Sequence, residues 1–131
     1  MWWPWGRAAI LDDPRRLGQW GQRQAEKYLR RKGYRLLTRN YRIVAGELDL
    51  VFTDDDGRVV FTEVKTRADE KFASATSAVN YKKRLRLIKA ARSFVRKYKL
   101  ADRPMRFDVA VVIVPPAGAV KIRHYTNVFV P

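Results

Sequence analysis

Residues 46–67 read GELDLVFTDDDGRVVFTEVKTR, two short apolar runs joined by an acidic turn. Leu48–Thr53 and Arg58–Thr66 predict two strands, with Asp54–Gly57 as the turn between them. A three-residue loop, Asp55-Asp56-Gly57 with Gly57 left-handed, pairs Asp54 with Arg58. That register sets Asp49 opposite Glu63 and Glu47 opposite Lys65. Side chains alternate along a strand, so Glu47 and Asp49 share one face while Leu48 and Leu50 share the other. On the second strand Glu63 and Lys65 share a face with Phe61, opposite Val60, Thr62 and Val64. All four functional groups then lie on one face, and a one-residue slip would scatter them.

Opposed carboxylates repel across a hairpin, and a divalent cation removes that repulsion. Mg²⁺ (or Mn²⁺) takes hard oxygen ligands, commonly one or two carboxylates with water and phosphate completing the shell. Asp49 and Glu63 are the expected metal ligands. Such a metal activates a water and stabilises charge on a phosphate. Lys65 is placed to position that water or to neutralise developing negative charge. Thr66 and Arg67, at the strand end, are placed to touch a phosphate backbone, and Glu47 supports the same face. The plainer reading is a surface ion pair between Glu63 and Lys65, worth ~0–1 kcal/mol. Against it, charged residues seldom sit inside an apolar strand without a partner or a role.

The remainder of the chain is strongly basic. Its 131 residues carry 28 Lys and Arg against 13 Asp and Glu, a formal net charge of +15. That balance favours a polyanionic partner, nucleic acid first and an anionic membrane surface second. The length and an apolar content of 47% suit one packed domain over residues 17–131, behind an irregular Trp-rich leader at 1–16. The chain has no cysteine, which removes disulfides, thiol catalysis and zinc–thiolate sites and fits a cytoplasmic protein. The single histidine, His124, does not make a histidine-based metal site alone. No run approaches the ~18 apolar residues of a membrane span. Trp2, Trp3 and Trp5 are expected to cover an apolar patch on the body, ahead of stacking on bases or dipping into a membrane interface.

Hydrophobic spacing predicts a helix over Leu17–Lys32, stopped by Gly33, and a strand over Tyr34–Ile43. Ala68–Asn80 reads as loop running into a helix. A long amphipathic helix over Tyr81–Leu100 has Leu85, Ile88, Ala91, Phe94, Val95 and Tyr98 as its apolar stripe. Phe107–Val114 is nearly all apolar, hence a central strand buried on both sides. Val120–Val130 reads as a more exposed final strand. The order α-β-β-β-α-β-β indicates an α/β fold, a mixed central sheet flanked by helices. Lys82, Lys83, Arg84 and Arg86 open a basic face on the long helix, and Arg30, Arg31, Lys32, Arg35, Arg39 and Arg42 form a second cluster. Both are placed to follow phosphates. Nothing reads bases, so recognition is expected to follow backbone or shape. Asp108, inside the apolar strand, calls for a partner such as Arg106.

These residues together resemble the YraN-like family of small bacterial endonuclease-like proteins, within the broad PD-(D/E)xK nuclease superfamily. The resemblance rests on Gly18-Gln19-Trp20-Gly21, Ala25, Tyr28-Leu29, Gly33-Tyr34 and Asn40-Tyr41-Arg42. It rests also on Gly46-Glu47-Leu48-Asp49-Leu50, Glu63-Val64-Lys65-Thr66-Arg67 and Arg106-Phe107-Asp108-Val109, so it spans about 17–130. It implies a restriction-endonuclease-like core with Asp49, Glu63 and Lys65 as the D…E-x-K triad. It implies no known substrate; the reading favoured here is Mg²⁺-dependent hydrolysis of DNA rather than RNA, with branched or single-stranded DNA as the substrates to test. Related resolvases act as homodimers. One position departs from the pattern: the family's first helix carries Glu directly after the second glycine, where this chain has Gln22. A neutral amide binds Mg²⁺ more weakly. Glu26, one turn further on the same face, is placed either to take over that position or, as a lone Glu more often is, to face solvent on the helix surface. Gln22 also keeps a second reading open, a nucleic-acid-binding protein whose nuclease site is degenerate.

Overall fold

A computed structural model describes residues 6–69 and 80–130. Five strands line up in chain order in one mixed sheet: β1 (Arg35–Ile43), β2 (Gly46–Thr53), β3 (Val59–Arg67), β4 (Met105–Ile113) and β5 (Lys121–Phe129). The first three form an antiparallel meander; β4 runs parallel to β3, and β5 antiparallel to β4. A parallel step needs a long crossover, and here it carries a helix, α3 (Tyr81–Lys97). A second long helix, α2 (Pro14–Arg31), covers the other face of the sheet. This is the mixed, helix-flanked α/β fold that the residue order predicts.

Two apolar clusters show how the layers are held. Leu87, Ala90, Ala91, Phe94 and Val95 of α3 pack with Val51, Phe61, Phe107 and Val109. Trp20, Ala25 and Leu29 of α2 pack with Leu50, Phe52, Val60, Ala110 and Val112. Strand β4 feeds both clusters with alternate side chains, which is why its sequence is apolar almost throughout. Trp20 is buried in its cluster. The expected stripe of α3 holds at Ala91, Phe94 and Val95, with Ile88 packed beside them, and differs at its edges. Leu87 and Ala90 are buried, while Leu85 and Tyr98 are 39% and 49% exposed.

The leader is more regular than expected. Residues Arg7–Leu11 form a short helix, α1, with Ile10 buried. Helix α2 starts at Pro14, three residues early, because Pro is well suited to a first helical position. Asp13 caps that start, its carboxylate accepting from the N–H groups of Arg15 and Arg16 at 3.1 and 3.3 Å. Trp2, Trp3 and Trp5 lie outside the described residues, as does most of the expected loop at 68–80.

The turn chemistry sets the hairpin register near the turn as anticipated, but the strands part before the expected Asp49–Glu63 and Glu47–Lys65 pairs form. Asp54 N–H donates to Arg58 O at 3.1 Å, Gly57 has φ +81°, and Thr53 pairs with Val59 and Leu50 with Thr62. Two glycines allow the helices to close on this hairpin. A Cβ on Gly21 of α2 would overlap Thr66 Oγ1, and one on Gly46 would overlap the backbone carbonyl of Arg86 on α3. Gly46→Ala is therefore expected to cost about 1–3 kcal/mol through forced separation of α3 from β2. Gly21→Ala should cost less, because a side chain can turn away and a carbonyl cannot. Thermal melts of the two variants measure the order; Gly21→Ala as the worse of the two would contradict it.

Candidate functional site

The site forms where the central hairpin opens. Pairing between β2 and β3 ends at Leu50 and Thr62, whereas β3 stays paired with β4 as far as Arg67. The parting strands leave the Val64 N–H without a strand partner, and Asp49 Oδ2 accepts from it at 2.8 Å. Strict alternation in β2 breaks at the same place. Leu48 packs on the α3 side of the sheet and Leu50 on the α2 side, so the expectation that they share a face does not hold. The adjoining strand is also irregular here. Its Asn40 has φ +55°, a left-handed conformation that Asn tolerates better than most residues. On β3 the alternation is regular. Phe61 faces α3 while Val60 and Val64 face α2, which puts Glu63 and Lys65 on the α3 side.

Electrostatics bind these groups into one cluster. Burial pushes the Asp49 carboxyl up to about 7, and the nearby Glu63 charge adds to that rise. Glu47 acts in the same sense, while the Val64 N–H and the Lys83 charge oppose it. Burial lowers the Lys65 ammonium below its ordinary value, with Lys83 and Arg67 contributing and Glu63 opposing. The Glu63 carboxylate is ion-paired with Lys83 of α3. Glu47 is exposed and pairs with Arg42 across the β1–β2 turn, at 3.3 Å.

On the α2 side Asp49 lines an open cleft of about 1220 Å³ between α2 and the meander. Arg15, Arg23 and Lys27 of α2, with Arg39, Arg42 and Arg67 of the strands, make its walls basic. Gln22 lies there too, but its Nε2 donates to Asn40 Oδ1 at 2.9 Å. Glu26 is held by Arg39 at 2.8 and 3.1 Å and by Arg30 at 3.3 Å. The hydrogen bond from Arg39 is the main cause holding the Glu26 carboxyl below its ordinary value. Both candidate helix ligands are thus engaged elsewhere. Among the described residues no three His, Asp or Glu side chains gather as a metal cluster. Asp49 and Glu63 form a two-carboxylate set, a donor number that suits a cation retaining several waters.

The four basic residues singled out on α3 separate. Lys83 turns inward to Glu63, and the Arg84 guanidinium lies 5.4 Å from the centre of the Phe129 ring. Lys82 and Arg86 are exposed. The α2 cations at 15, 23 and 27 were not among the expected contacts. Their signal is the helical spacing Arg15-Gln19-Arg23-Lys27, every fourth residue on one face.

A family model described as Uncharacterised protein family UPF0102 matches residues 21–112. The chain belongs to the UPF0102, or YraN-like, family. A UPF0102 protein of Syntrophomonas wolfei is 43% identical over 115 residues, covering 88% of this chain and 98% of that protein. One of Frankia alni is 39% identical over 113 residues, 86% of this chain and 93% of that protein. One of Carboxydothermus hydrogenoformans is 40% identical over 114 residues, 87% and 95%. The UPF0102 match runs from Gly21, at the close approach of α2 to Thr66, to Val112 in β4, and so includes every residue of the carboxylate–lysine cluster.

Among the described residues no helix is long and apolar enough to cross a membrane.

Proposed function

We propose that this protein is a divalent-metal-dependent endonuclease acting on DNA, with Asp49, Glu63 and Lys65 at the reacting phosphate. The observation that carries the reading is the Asp49–Glu63 pair at the parting of β2 and β3. Burial first and the Glu63 charge second push Asp49 up to about 7. Asp49 lines the basic cleft on the α2 side, while Glu63 lies on the α3 side. A divalent cation such as Mg²⁺, held by the two carboxylates, would supply activation of a water and stabilisation of phosphate charge. The chain's own contribution is positional. The Val64 N–H fixes one oxygen of Asp49. Strand alternation holds Lys65 beside Glu63, where a depressed ammonium pKa suits it to orient water or exchange a proton. Arg15, Arg23, Lys27 and Arg67 take the DNA backbone by charge, without reading bases.

Binding to duplex DNA should weaken with salt, with a slope of log K against log salt of about −3 to −4 for four phosphate contacts. The double variant Arg23→Glu/Lys27→Glu should flatten that slope by about 2. Glu63→Gln should lower Mg²⁺-dependent cleavage of branched or single-stranded DNA by roughly 10²–10³-fold or more with little change in melting temperature. Wild-type cleavage that persists in EDTA would overturn the metal reading.

A second reading has a specific observation behind it. With Gln22 bonded to Asn40 and Glu26 held by arginines, the helix offers the cation no carboxylate. A nucleic-acid-binding protein with a degenerate nuclease site follows if salt-sensitive binding occurs without cleavage in Mg²⁺ or Mn²⁺. The homodimer of related resolvases and a cytoplasmic location complete the proposal; ultracentrifugation with and without DNA tests the former.

A further inference from the structure

Lys83 stands where the metal reading needs room. It lies in the first turn of α3, where its backbone N–H is bonded to the Asn80 cap at 2.9 Å. Its side chain reaches across to Glu63. A cation in the first turn of a helix opposes the helix dipole, and this turn carries Lys82, Lys83 and Arg84 with no acidic residue to offset them. The pairing with Glu63 is what offsets that position for Lys83. The Glu63 side chain is only 10% exposed and the Lys83 side chain 38%. The ammonium therefore approaches from solvent and caps a nearly buried carboxylate.

We propose that Lys83 is a positioning residue that acts as the resident counter-cation of Glu63 and competes with a divalent metal for that carboxylate. The inference rests on the metal-site reading above. An ammonium whose stem is partly exposed can be displaced when a divalent ion takes its place at the carboxylate. The carboxylate stays oriented in the meantime, and the metal site does not repel itself apart while empty of metal. Metal affinity is then set by an exchange of cations at Glu63.

Mn²⁺ binding followed by EPR, on the intact protein without DNA, tests this independently of cleavage. Lys83→Met keeps the length of the side chain and removes the charge. It should bind Mn²⁺ about fivefold more tightly or better, while Lys83→Arg should keep the weaker wild-type affinity. Glu63→Gln in the Lys83→Met background should abolish the gain. An unchanged or weaker affinity in Lys83→Met, with its melting transition intact, overturns the role of Lys83 and leaves the metal site standing. If neither wild type nor Lys83→Met binds Mn²⁺ although both are folded, the metal-site reading fails and the competition with it.

Discussion

Asp108→Ala is expected to lower stability by about 3–5 kcal/mol, enough to unfold much of the population of a marginal domain. Asp108 sits on β4 with its side chain fully buried. It accepts both hydrogen bonds of a bidentate Arg106 pair at 2.9 Å, a bond from His124 Nε2 at 2.8 Å and the Asn127 N–H at 3.0 Å. Arg106 also bonds Tyr34 Oη at 2.8 Å, and His124 Nδ1 lies 3.1 Å from Lys32 Nζ. His124 thus takes the tautomer that donates from Nε2 to Asp108 and accepts at Nδ1. Burial would raise the Asp108 carboxyl, but the bonds from His124, Arg106 and Asn127 outweigh it and hold the group below its ordinary value. Removing the carboxylate leaves the Arg106 guanidinium with only its longer anionic contact, to Asp54 at 3.7 Å, and leaves the His124 Nε2–H without an acceptor. A group held low contributes stability at neutral pH and loses it as pH falls through its folded value. The deficit of Asp108→Ala in denaturant melts should therefore be full at pH 7 and narrow in acid. A cost under 1 kcal/mol at pH 7 would contradict the account.

Asp49→Asn should do the opposite and stabilise the metal-free protein, by on the order of 2–4 kcal/mol at pH 8. Asp49 is raised from an ordinary 3.8 to about 7. Above the lower value the unfolded chain releases this proton while the folded chain keeps it. Stability therefore falls as pH rises from about 4 to about 7 and is flat beyond. Asparagine keeps an oxygen to accept from the Val64 N–H and carries no charge for burial or Glu63 to oppose. The gain over wild type should be small at pH 4 and largest at pH 8, read as the difference in melting temperature at the two values. Mg²⁺ should raise the wild-type melting temperature at pH 8 and leave Asp49→Asn nearly unmoved. A destabilised Asp49→Asn at pH 8 would mean that the carboxylate supports the fold.

Asp108 and Asp49 were legible to different degrees. Asp108 announced itself as a charge in an apolar strand, and Arg106, two residues away on the same face, was the natural partner. Its second and third partners are not predictable, because His124 and Asn127 arrive on β5 from the far side of a turn. For Asp49 the hairpin register was readable, since a three-residue loop ending in a left-handed glycine has few alternatives. The break in alternation at Asp49 was not. It arises where β2 leaves β3 and Asn40 kinks the neighbouring strand, and no residue pattern within β2 marks it.

The helices divide in the same way. Periodicity locates α2 and α3 and the centre of the α3 stripe at Ala91, Phe94 and Val95, but its edge differs, because Leu85 and Leu87 are equally apolar and only contact with the sheet selects between them. Pro14 looked like a breaker in a leader and proved to be a first helical residue once Asp13 supplied the cap. Local chemistry therefore settled the elements, the hairpin turn and the buried central strand, since these depend on residues near one another along the chain. The partners of Gln22, Glu26 and Lys83 were decided by folding. Arg39, Asn40 and Glu63 come from other elements, and which long side chain reaches which carboxylate is fixed by the close approach of α2 at Gly21 and of α3 at Gly46.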